Sequence, residues 1–250
     1  MESPVPVAGP PVFLVPPGSL TGGTVTLSGP EGHHASAVRR LRAGERADVS
    51  DGTGTIAECA VLSGDRDSVV LSVRSVLKVA APEPRVTVVQ ALPKGDRGEL
   101  AVELMTEVGV DAMVPWAAHR CVVRWQGERG DRSLAKWRST AREAAKQSRR
   151  AWLPEVTALA SLSDIAKRVS VAACAVVLES DAAAPLSGLP LPDQGEIVLV
   201  VGPEGGMTPS ERVTLAEAGA VEARLGPTVL RTSTAGAAAA AVLLTRTARW

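Results

Sequence analysis

The decisive stretch of the sequence is Ile197-Val-Leu-Val-Val-Gly-Pro-Glu-Gly-Gly-Met-Thr-Pro-Ser-Glu211, in which an apolar run ends in a glycine-rich turn. The apolar run predicts a buried strand, and Thr208-Pro-Ser-Glu211 has the form of a helix capping box with proline at the first helical position. Exposed amides of such a turn, at the carboxyl end of a parallel strand, are where α/β folds bind ligands. The glycine spacing does not match G-x-G-x-x-G and no P-loop lysine follows, which disfavours a dinucleotide or a nucleoside triphosphate.

A second segment has the same order of strand, glycine-containing turn and helix: Val221-Glu-Ala-Arg-Leu-Gly-Pro-Thr-Val-Leu-Arg-Thr-Ser-Thr-Ala235. Its strand ends at Leu225-Gly-Pro227, and a loop then leads to an alanine-rich helix that Thr232 or Ser233 caps. Arg231 stands at the start of that helix, beside the positive end of the helix dipole. A cation is unfavourable there unless it meets an anion or a carboxylate.

Strands and helices alternate around these two segments. Alternation of this kind predicts a parallel sheet with helices on both faces. The predicted strands are residues 86–91, 112–116, 172–178, 197–201 and 221–225, and the predicted helices are 96–108, 132–150, 209–218 and 233–247.

The amino-terminal part of the sequence has a different pattern, with short strands and few helices. Short β-rich runs at residues 12–15, 25–27, 46–50, 55–62 and 68–77, with one helix near 33–41, predict a small antiparallel barrel or sandwich. Residues 79–84 are predicted to form a linker, because Pro82 and Pro84 cannot continue the hydrogen bonding of a strand. We therefore expect two domains, 1–80 and 85–250.

Composition excludes several classes of protein. Aromatic residues are 2% of the 250, too few for a sheet that stacks RNA bases on aromatic rings. Three scattered cysteines predict reduced, buried thiols, and three histidines without ligand partners at suitable spacing make a metal site improbable. The first 17 residues lack the pattern of a secretory signal, and no apolar run reaches the ~20 residues that span a bilayer. We expect a cytoplasmic protein.

Charge is balanced overall, with 27 basic and 27 acidic side chains, but it is uneven along the chain. Residues 129–150 hold eight Arg or Lys side chains and two acidic ones. This run favours a surface that follows nucleic-acid phosphates, although a solvated helix face has the same composition.

Together, the motifs resemble those of the bacterial 16S ribosomal RNA uracil-N3 methyltransferases of the SPOUT superfamily. The resemblance rests first on Val201-Gly-Pro-Glu-Gly-Gly206 and on Leu225-Gly-Pro followed by Leu230-Arg-Thr232. Four further motifs follow the family's order and cover nearly the whole chain: His33-His34 with Val38, Arg40 and Gly44; Lys94-Gly-Asp96; Thr106-Glu-Val-Gly-Val110 with Pro115 and Arg120; and Glu143-Ala-Ala-Lys-Gln-Ser148 before Pro154.

The resemblance implies an α/β SPOUT-type parallel sheet with a carboxy-terminal trefoil knot, preceded by a small PUA-like RNA-binding β-barrel. It also implies a homodimer that methylates 16S ribosomal RNA. The chemistry requires no metal, and the short apolar runs argue against a membrane. The resemblance assigns S-adenosylmethionine binding to Leu178, Glu179, Gly202, Pro203, Glu204, Gly205, Leu225, Gly226, Leu230 and Thr232. The residues expected to bind RNA are Arg39, Arg40, Lys94, Arg120, Arg138, Arg142, Lys146, Gln147, Arg149 and Arg150.

Four positions depart from the family pattern. Val12 stands where an arginine is common, Leu104 where a lysine is common, Ser233 where an acidic residue is common, and Arg39 where a leucine is usual. These departures leave the cofactor loops intact and affect the residues that hold RNA or move protons.

Methyl transfer to uracil N3 requires collinear nitrogen, methyl and sulfur, and either removal of the N3 proton or stabilisation of the anion. We assign charge stabilisation or phosphate anchoring to Arg231. Glu204 is either a base or a cap for loop amides, and the cap is the favoured role. Two alternatives stay open: an RNA-binding or ribosome-assembly protein without catalysis, and a SPOUT methyltransferase that acts on another RNA.

Overall fold

The computed structural model describes residues 9–250, and the chain divides into two compact units. The first unit contains the residues up to Ala81 together with Lys146–Leu153, and the second contains Pro82–Ala145 and Pro154–Trp250. Lys146–Leu153 therefore belong to the first unit, although the sequence places them inside the predicted second domain.

The first unit is built on a five-stranded sheet with the order β1-β3-β4-β5-β2. Its strands are β1 (Val12–Leu14), β2 (Thr24–Leu27), β3 (Arg46–Ser50), β4 (Thr55–Gly64) and β5 (Val69–Lys78). All five predicted strands are present, but the sheet is mixed and not purely antiparallel, because β1 pairs with β3 in parallel. Buried Phe13, Val49 and Leu71 lie in its core.

The helix that follows β2 differs from the prediction. It begins at Gly29 as α1 (Gly29–His33) and continues as a π-helical turn over His34–Val38. Proline at the start of α1 favours this earlier beginning, because its missing N–H needs no partner in the first turn. The chain then turns away at Arg40, whose φ of 54° is left-handed.

Backbone hydrogen bonds join the distant segment Lys146–Leu153 to the rest of the first unit. The N–H of Leu153 donates to the carbonyl of Gly52 at 3.0 Å, and the N–H of Gly54 donates to the carbonyl of Ala151 at 2.9 Å. The indole N–H of Trp152 donates to the Val79 carbonyl at 3.0 Å. These contacts explain why the segment groups with residues nearly a hundred positions earlier.

The second unit contains the predicted parallel sheet, which has six strands in the order β11-β9-β10-β6-β7-β8. All its pairings are parallel. The strands are β6 (Arg85–Ala91), β7 (Ala112–Trp116), β8 (Glu155–Val156), β9 (Cys174–Leu178), β10 (Glu196–Val201) and β11 (Val221–Ala223). The helices are α2 (Arg97–Val108), α3 (Gly127–Gln147), α4 (Leu162–Val171), α5 (Pro209–Glu217) and α6 (Thr232–Arg246).

Two elements of this unit were missed and one was displaced. The short strand β8 and the helix α4 were not predicted, although Ser161 and Asp164 form a capping box at the start of α4. Helix α3 begins five residues earlier than expected and ends at Gln147. Its end precedes Arg149, whose φ of 57° is incompatible with a continuing right-handed helix.

Small side chains let α6 pack close to its neighbours. It lies against α2 and against the central strands β6 and β10. A Cβ added at Gly236 would lie 3.0 Å from the sulfur of Met105 and 3.3 Å from a methyl group of Val88, so a larger side chain would force α6 away from the sheet.

The three cysteines are free; Cys59 and Cys121 are buried and Cys174 is half-buried. Burial raises the pKa of Cys59 to about 11 and also raises the pKa values of the other two thiols. In residues 9–250, no helix combines the length and the apolar character needed to cross a bilayer.

Candidate active site

A cavity of about 390 Å³ opens where three loops of the second unit meet. The loops follow β9, β10 and β11, so the cavity lies at the carboxyl edge of the parallel sheet, where α/β folds bind ligands. It is lined by Leu178, Glu179, Ser180, Val201, Gly202, Pro203, Glu204, Gly206, Leu225, Gly226, Thr228, Val229, Leu230, Arg231, Thr232 and Ala235.

The middle loop is a tight turn that leads from a buried strand into a capped helix. The N–H of Gly206 donates to the carbonyl of Pro203 at 2.9 Å, and Gly206 has a φ of +71°, which favours glycine. Thr208 then caps α5: its hydroxyl accepts the N–H of Glu211, and the Glu211 carboxylate accepts the N–H of Thr208. The predicted capping box is therefore present.

Glu211 also ties this turn to another part of the chain. One carboxylate oxygen accepts the N–H of His119 at 2.7 Å, and the other accepts the N–H of Thr208 at 2.7 Å. Burial works to raise the pKa of Glu211, but the hydrogen bonds from His119 and Thr208 outweigh it and hold the pKa below its usual value. Glu211 is thus a buried anion held by backbone donors.

Glu204 lies on the cavity wall and holds a second loop. Its Oε1 accepts the backbone N–H of Lys94 at 3.1 Å. This is the contact that a cap for loop amides makes, so the geometry favours capping over proton abstraction for Glu204.

Arg231 lines the cavity at the start of α6, where its carbonyl accepts the N–H groups of Thr234 and Ala235 at 2.9 Å. Its side chain is exposed and makes no hydrogen bond or ion pair within residues 9–250. The next residue, Thr232, is buried. The cavity therefore carries a cation that is available to an anion.

Glu179 is an acidic group that also lines the cavity. Burial raises its pKa, nearby Arg212 opposes that shift, and the carboxylates of Asp181 and Glu222 reinforce it. Arg212 is itself engaged by Glu222 through two hydrogen bonds of 2.6 Å. Glu179 thus offers the cavity a carboxyl group that gives up its proton less readily than usual.

The cavity brings together all but one of the ten residues expected to bind the cofactor. Gly205 is the exception, since it is absent from the lining. Apart from Arg231, the lining residues outside these ten are Ser180, Val201, Gly206, Thr228, Val229 and Ala235. Val201 and Gly206 belong to the first quoted segment and Thr228, Val229 and Ala235 to the second, whereas Ser180, next to Glu179, was not singled out.

The residues expected to bind RNA do not form one uniform surface. Arg39, Arg40, Lys94 and Gln147 are exposed, Arg142 is exposed, and Arg150 is half-buried. Arg138 is also exposed, with its Nε donating to the Val156 carbonyl at 3.0 Å. Arg120 donates from Nη1 to the Gly205 carbonyl at 3.0 Å, within the glycine-rich turn.

Two of these cations require a correction to the expected basic helix face. Lys146 is buried and its ammonium group lies 3.2 Å from the carboxylate of Glu31. Arg149 pairs with buried Asp48 and donates to the Pro10 carbonyl. Because α3 ends at Gln147, where the chain joins the first unit, Lys146 is withdrawn from solvent and Arg149, though still exposed, is held by a carboxylate of that unit.

The described part of the chain, residues 9–250, contains no group of three or more His, Cys, Asp or Glu side chains placed to hold a metal ion.

Comparison with known proteins identifies the class to which this fold and cavity belong. A family model described as an RNA methyltransferase domain matches residues 81–244, and one described as an RNA methyltransferase PUA domain matches residues 27–74.

Individual relatives show which family of RNA methyltransferases the chain belongs to. The chain is 45% identical over 234 residues to a protein of Mycobacterium bovis named ribosomal RNA small subunit methyltransferase E, covering 92% of this chain and 89% of the relative. A Bacillus subtilis protein of that name is 32% identical, covering 85% and 86%. The chain belongs to the ribosomal RNA small subunit methyltransferase E family.

A solved structure of a protein with the same name is similar to this chain over nearly its whole length. The Neisseria gonorrhoeae protein of that name, described as bound to S-adenosylmethionine, has a TM-score of 0.84 and 27% identity, covering 95% of this chain and 98% of the other.

Proposed function

We propose that this protein transfers a methyl group from S-adenosylmethionine to N3 of a uracil in 16S ribosomal RNA. The observation that carries the proposal is the cavity at the sheet edge, whose lining contains nine of the ten residues that the resemblance assigns to the cofactor. The family relatives are named for methylation of small-subunit ribosomal RNA, and a related structure is described with S-adenosylmethionine bound.

The residues present fit this cofactor. A Cβ added at Gly226 would meet no protein atom within 4 Å, so the absence of a side chain there leaves space open along the cavity wall. A volume of about 390 Å³ also falls within the usual range for small-molecule sites, roughly 300–1,000 Å³. When bound, S-adenosylmethionine supplies an electrophilic methyl group.

The chain's own residues then have three tasks. The loops after β9, β10 and β11 hold the cofactor, and Glu204 keeps the Lys94 loop against the glycine-rich turn through its carboxylate. Arg231 stabilises the negative charge that develops on the uracil, or anchors its phosphate. Because N3 lies on the pairing edge, the target uracil is unpaired or flipped out when it reacts.

We further propose that the carboxy-terminal segment forms a trefoil knot and that the protein acts as a cytoplasmic homodimer. Support for the knot comes from the family resemblance. The dimer rests on the family resemblance. Sedimentation equilibrium that showed a fully active monomer at micromolar concentration would contradict it.

The first unit, with residues 1–80 as its main part, is proposed as the PUA-like RNA-binding domain and residues 85–250 as the methyltransferase domain. Arg39 and Arg40 are exposed cations of the former. The PUA family match over residues 27–74 supports this division.

Mass spectrometry of nucleosides from 16S ribosomal RNA tests the function directly. Cells that lack the protein should lose 3-methyluridine, and the wild-type gene should restore it. Restoration should fail with Gly226→Val. If 3-methyluridine persisted without the protein, the proposed reaction would be wrong, and an RNA-binding role without catalysis would become the better explanation.

A further inference from the structure

The glycine-rich turn has two sides, and only one of them faces the cavity. Gly202, Pro203, Glu204 and Gly206 line the cavity, whereas Gly205 does not. A Cβ added at Gly205 would lie 3.3 Å from the Cβ of Arg120. Arg120 therefore packs against the turn at Gly205 without being part of the cavity lining.

Arg120 also satisfies backbone carbonyls of this turn. Its Nη1 donates to the carbonyl of Gly205 at 3.0 Å and makes a longer contact of 3.5 Å with the carbonyl of Met207. The Gly205 carbonyl shares a peptide plane with the N–H of Gly206, which donates to the Pro203 carbonyl at 2.9 Å. That peptide plane is thus held at both ends.

The peptide plane between Met207 and Thr208 is held at both ends in the same way. The Met207 carbonyl shares its peptide plane with the N–H of Thr208, which donates to Glu211 at 2.7 Å. The same carboxylate accepts the N–H of His119, the residue before Arg120. Glu211 and Arg120 therefore join one loop to two consecutive parts of the turn.

The loop that carries Arg120 is itself braced. Arg124 donates from Nη1 to the carbonyl of Ala118 at 2.9 Å and from Nη2 to the carbonyl of His119 at 2.8 Å. The braced backbone keeps the Cα of Arg120 beside the turn, so only the freedom of its side chain is lost when the guanidinium binds the carbonyls.

We propose that Arg120 is a positioning residue for the cofactor turn, in place of the RNA contact that the sequence predicts. The inference rests on the proposed function, since it assigns Arg120 to the cavity where S-adenosylmethionine binds. By fixing the peptide planes behind Gly202–Gly206, Arg120 keeps the cavity wall in its binding geometry before the cofactor arrives. Preorganisation of this kind raises affinity without a direct contact.

The test compares Arg120→Gln, Arg120→Lys and a control, Arg132→Gln, by isothermal titration of S-adenosylmethionine into RNA-free protein. Arg132 is exposed on α3 and its ion-pair partner is Glu128 in the same helix, so its variant removes the same charge without touching the turn. Arg120→Gln should weaken cofactor binding about tenfold, equivalent to about 1.4 kcal/mol. Arg120→Lys should recover part of this affinity because an ammonium can still reach one carbonyl, and Arg132→Gln should match the wild type.

Hydrogen exchange at the backbone amides of residues 202–208 gives a second readout without cofactor or RNA. Exchange should speed up there in Arg120→Gln and remain at the wild-type rate in Arg132→Gln. Wild-type exchange in strands β4 and β5 of the Arg120→Gln protein separates a loosened turn from global unfolding.

The outcomes separate the two hypotheses. Wild-type cofactor affinity and exchange in Arg120→Gln, with a smaller salt dependence of RNA binding, would overturn the positioning role and restore the RNA contact. Wild-type behaviour in all three measurements would make Arg120 an ordinary surface residue. If the wild-type protein bound no S-adenosylmethionine, the proposed function itself would fail and this assignment with it.

Discussion

The carboxylate of Glu211 accepts the backbone N–H of His119 at 2.7 Å, across 92 positions of the chain. One buried anion thus caps helix α5 and holds the loop that carries Arg120. The same carboxylate also accepts the N–H and the hydroxyl of Thr208, so Glu211 connects the loop before Arg120 to the start of α5.

Replacing Glu211 by Gln should lower the free energy of unfolding at pH 7 by about 1–3 kcal/mol, because the amide leaves a buried backbone donor unpaired. The pH dependence has a definite sign. The folded-state pKa of Glu211 is lowered, so its stabilisation is present above the unfolded pKa of about 4.3 and is lost as pH falls through the folded value. Urea unfolding between pH 7 and pH 3 should show wild type and variant converging in acid; a constant difference would contradict this role.

Gly226→Val should abolish S-adenosylmethionine binding while the protein stays folded. A side chain at Gly226 meets no protein atom, so its bulk enters the cavity alone. Gly202→Val should also abolish binding, but with a loss of stability, because its Cβ would lie 3.2 Å from Met207. The matched control is Gly23→Val, which also meets nothing but lies outside the cavity. Unchanged affinity in a folded Gly226→Val would exclude this loop from the cofactor site.

Arg231→Ala should retain most cofactor binding and lose methyl transfer. If Arg231 stabilises the uracil anion, the single-turnover rate at saturating RNA should fall on the order of 10²–10³, as when one preorganised donor is removed. If it anchors a phosphate, the defect should appear in RNA affinity and vanish at saturation. A normal rate with normal RNA affinity would leave Arg231 without either role.

The combined variant Arg39→Gln, Arg138→Gln, Arg142→Gln should reduce the steepness with which RNA affinity falls as salt rises. Removing one cation that binds a phosphate should lower the log–log slope by about one. Filter binding over a range of salt concentrations measures this slope, and titration calorimetry should show cofactor affinity unchanged. An unchanged slope would mean that these exposed cations belong to an ordinary solvated surface.

Lys146→Met should destabilise the protein by about 3–5 kcal/mol, because it removes the buried ammonium group that pairs with the largely buried carboxylate of Glu31. The control Lys136→Met removes an exposed pair with Glu99 and should cost at most about 1 kcal/mol. Denaturant unfolding checks both values. Equal effects of the two substitutions would show that burial does not distinguish these ion pairs.

The sequence predicted the parallel sheet and the cavity loops because their signals are local. The apolar run of β10 and the Thr208 capping box each lie within a few residues, and both are present. The environment of Lys146 and Arg149 is instead set by Glu31 and Asp48, more than a hundred positions earlier. A pattern of charges along the sequence cannot indicate which cations will form ion pairs with carboxylates that are distant in the chain.

Arg120 shows the same limit within the site. The sequence analysis placed it among the expected RNA contacts because it follows a motif of a family that acts on RNA. Only the folded chain shows that its Nη1 faces the carbonyl of Gly205, 85 positions later. The missed helix α4 had a different cause: its capping residues were present in the sequence but were not used.

The membership of Lys146–Leu153 in the first unit has a consequence for synthesis of the chain. Domains usually fold as units, the amino-terminal one first as it leaves the ribosome. Here the first unit lacks backbone partners for Gly52 and Gly54 until Pro82–Ala145, which belong to the other unit, have been translated. The amino-terminal unit is therefore completed only after part of the other unit has been made. A gene fragment that stops at Ala81 encodes the sheet without Lys146–Leu153, the segment that pairs with it.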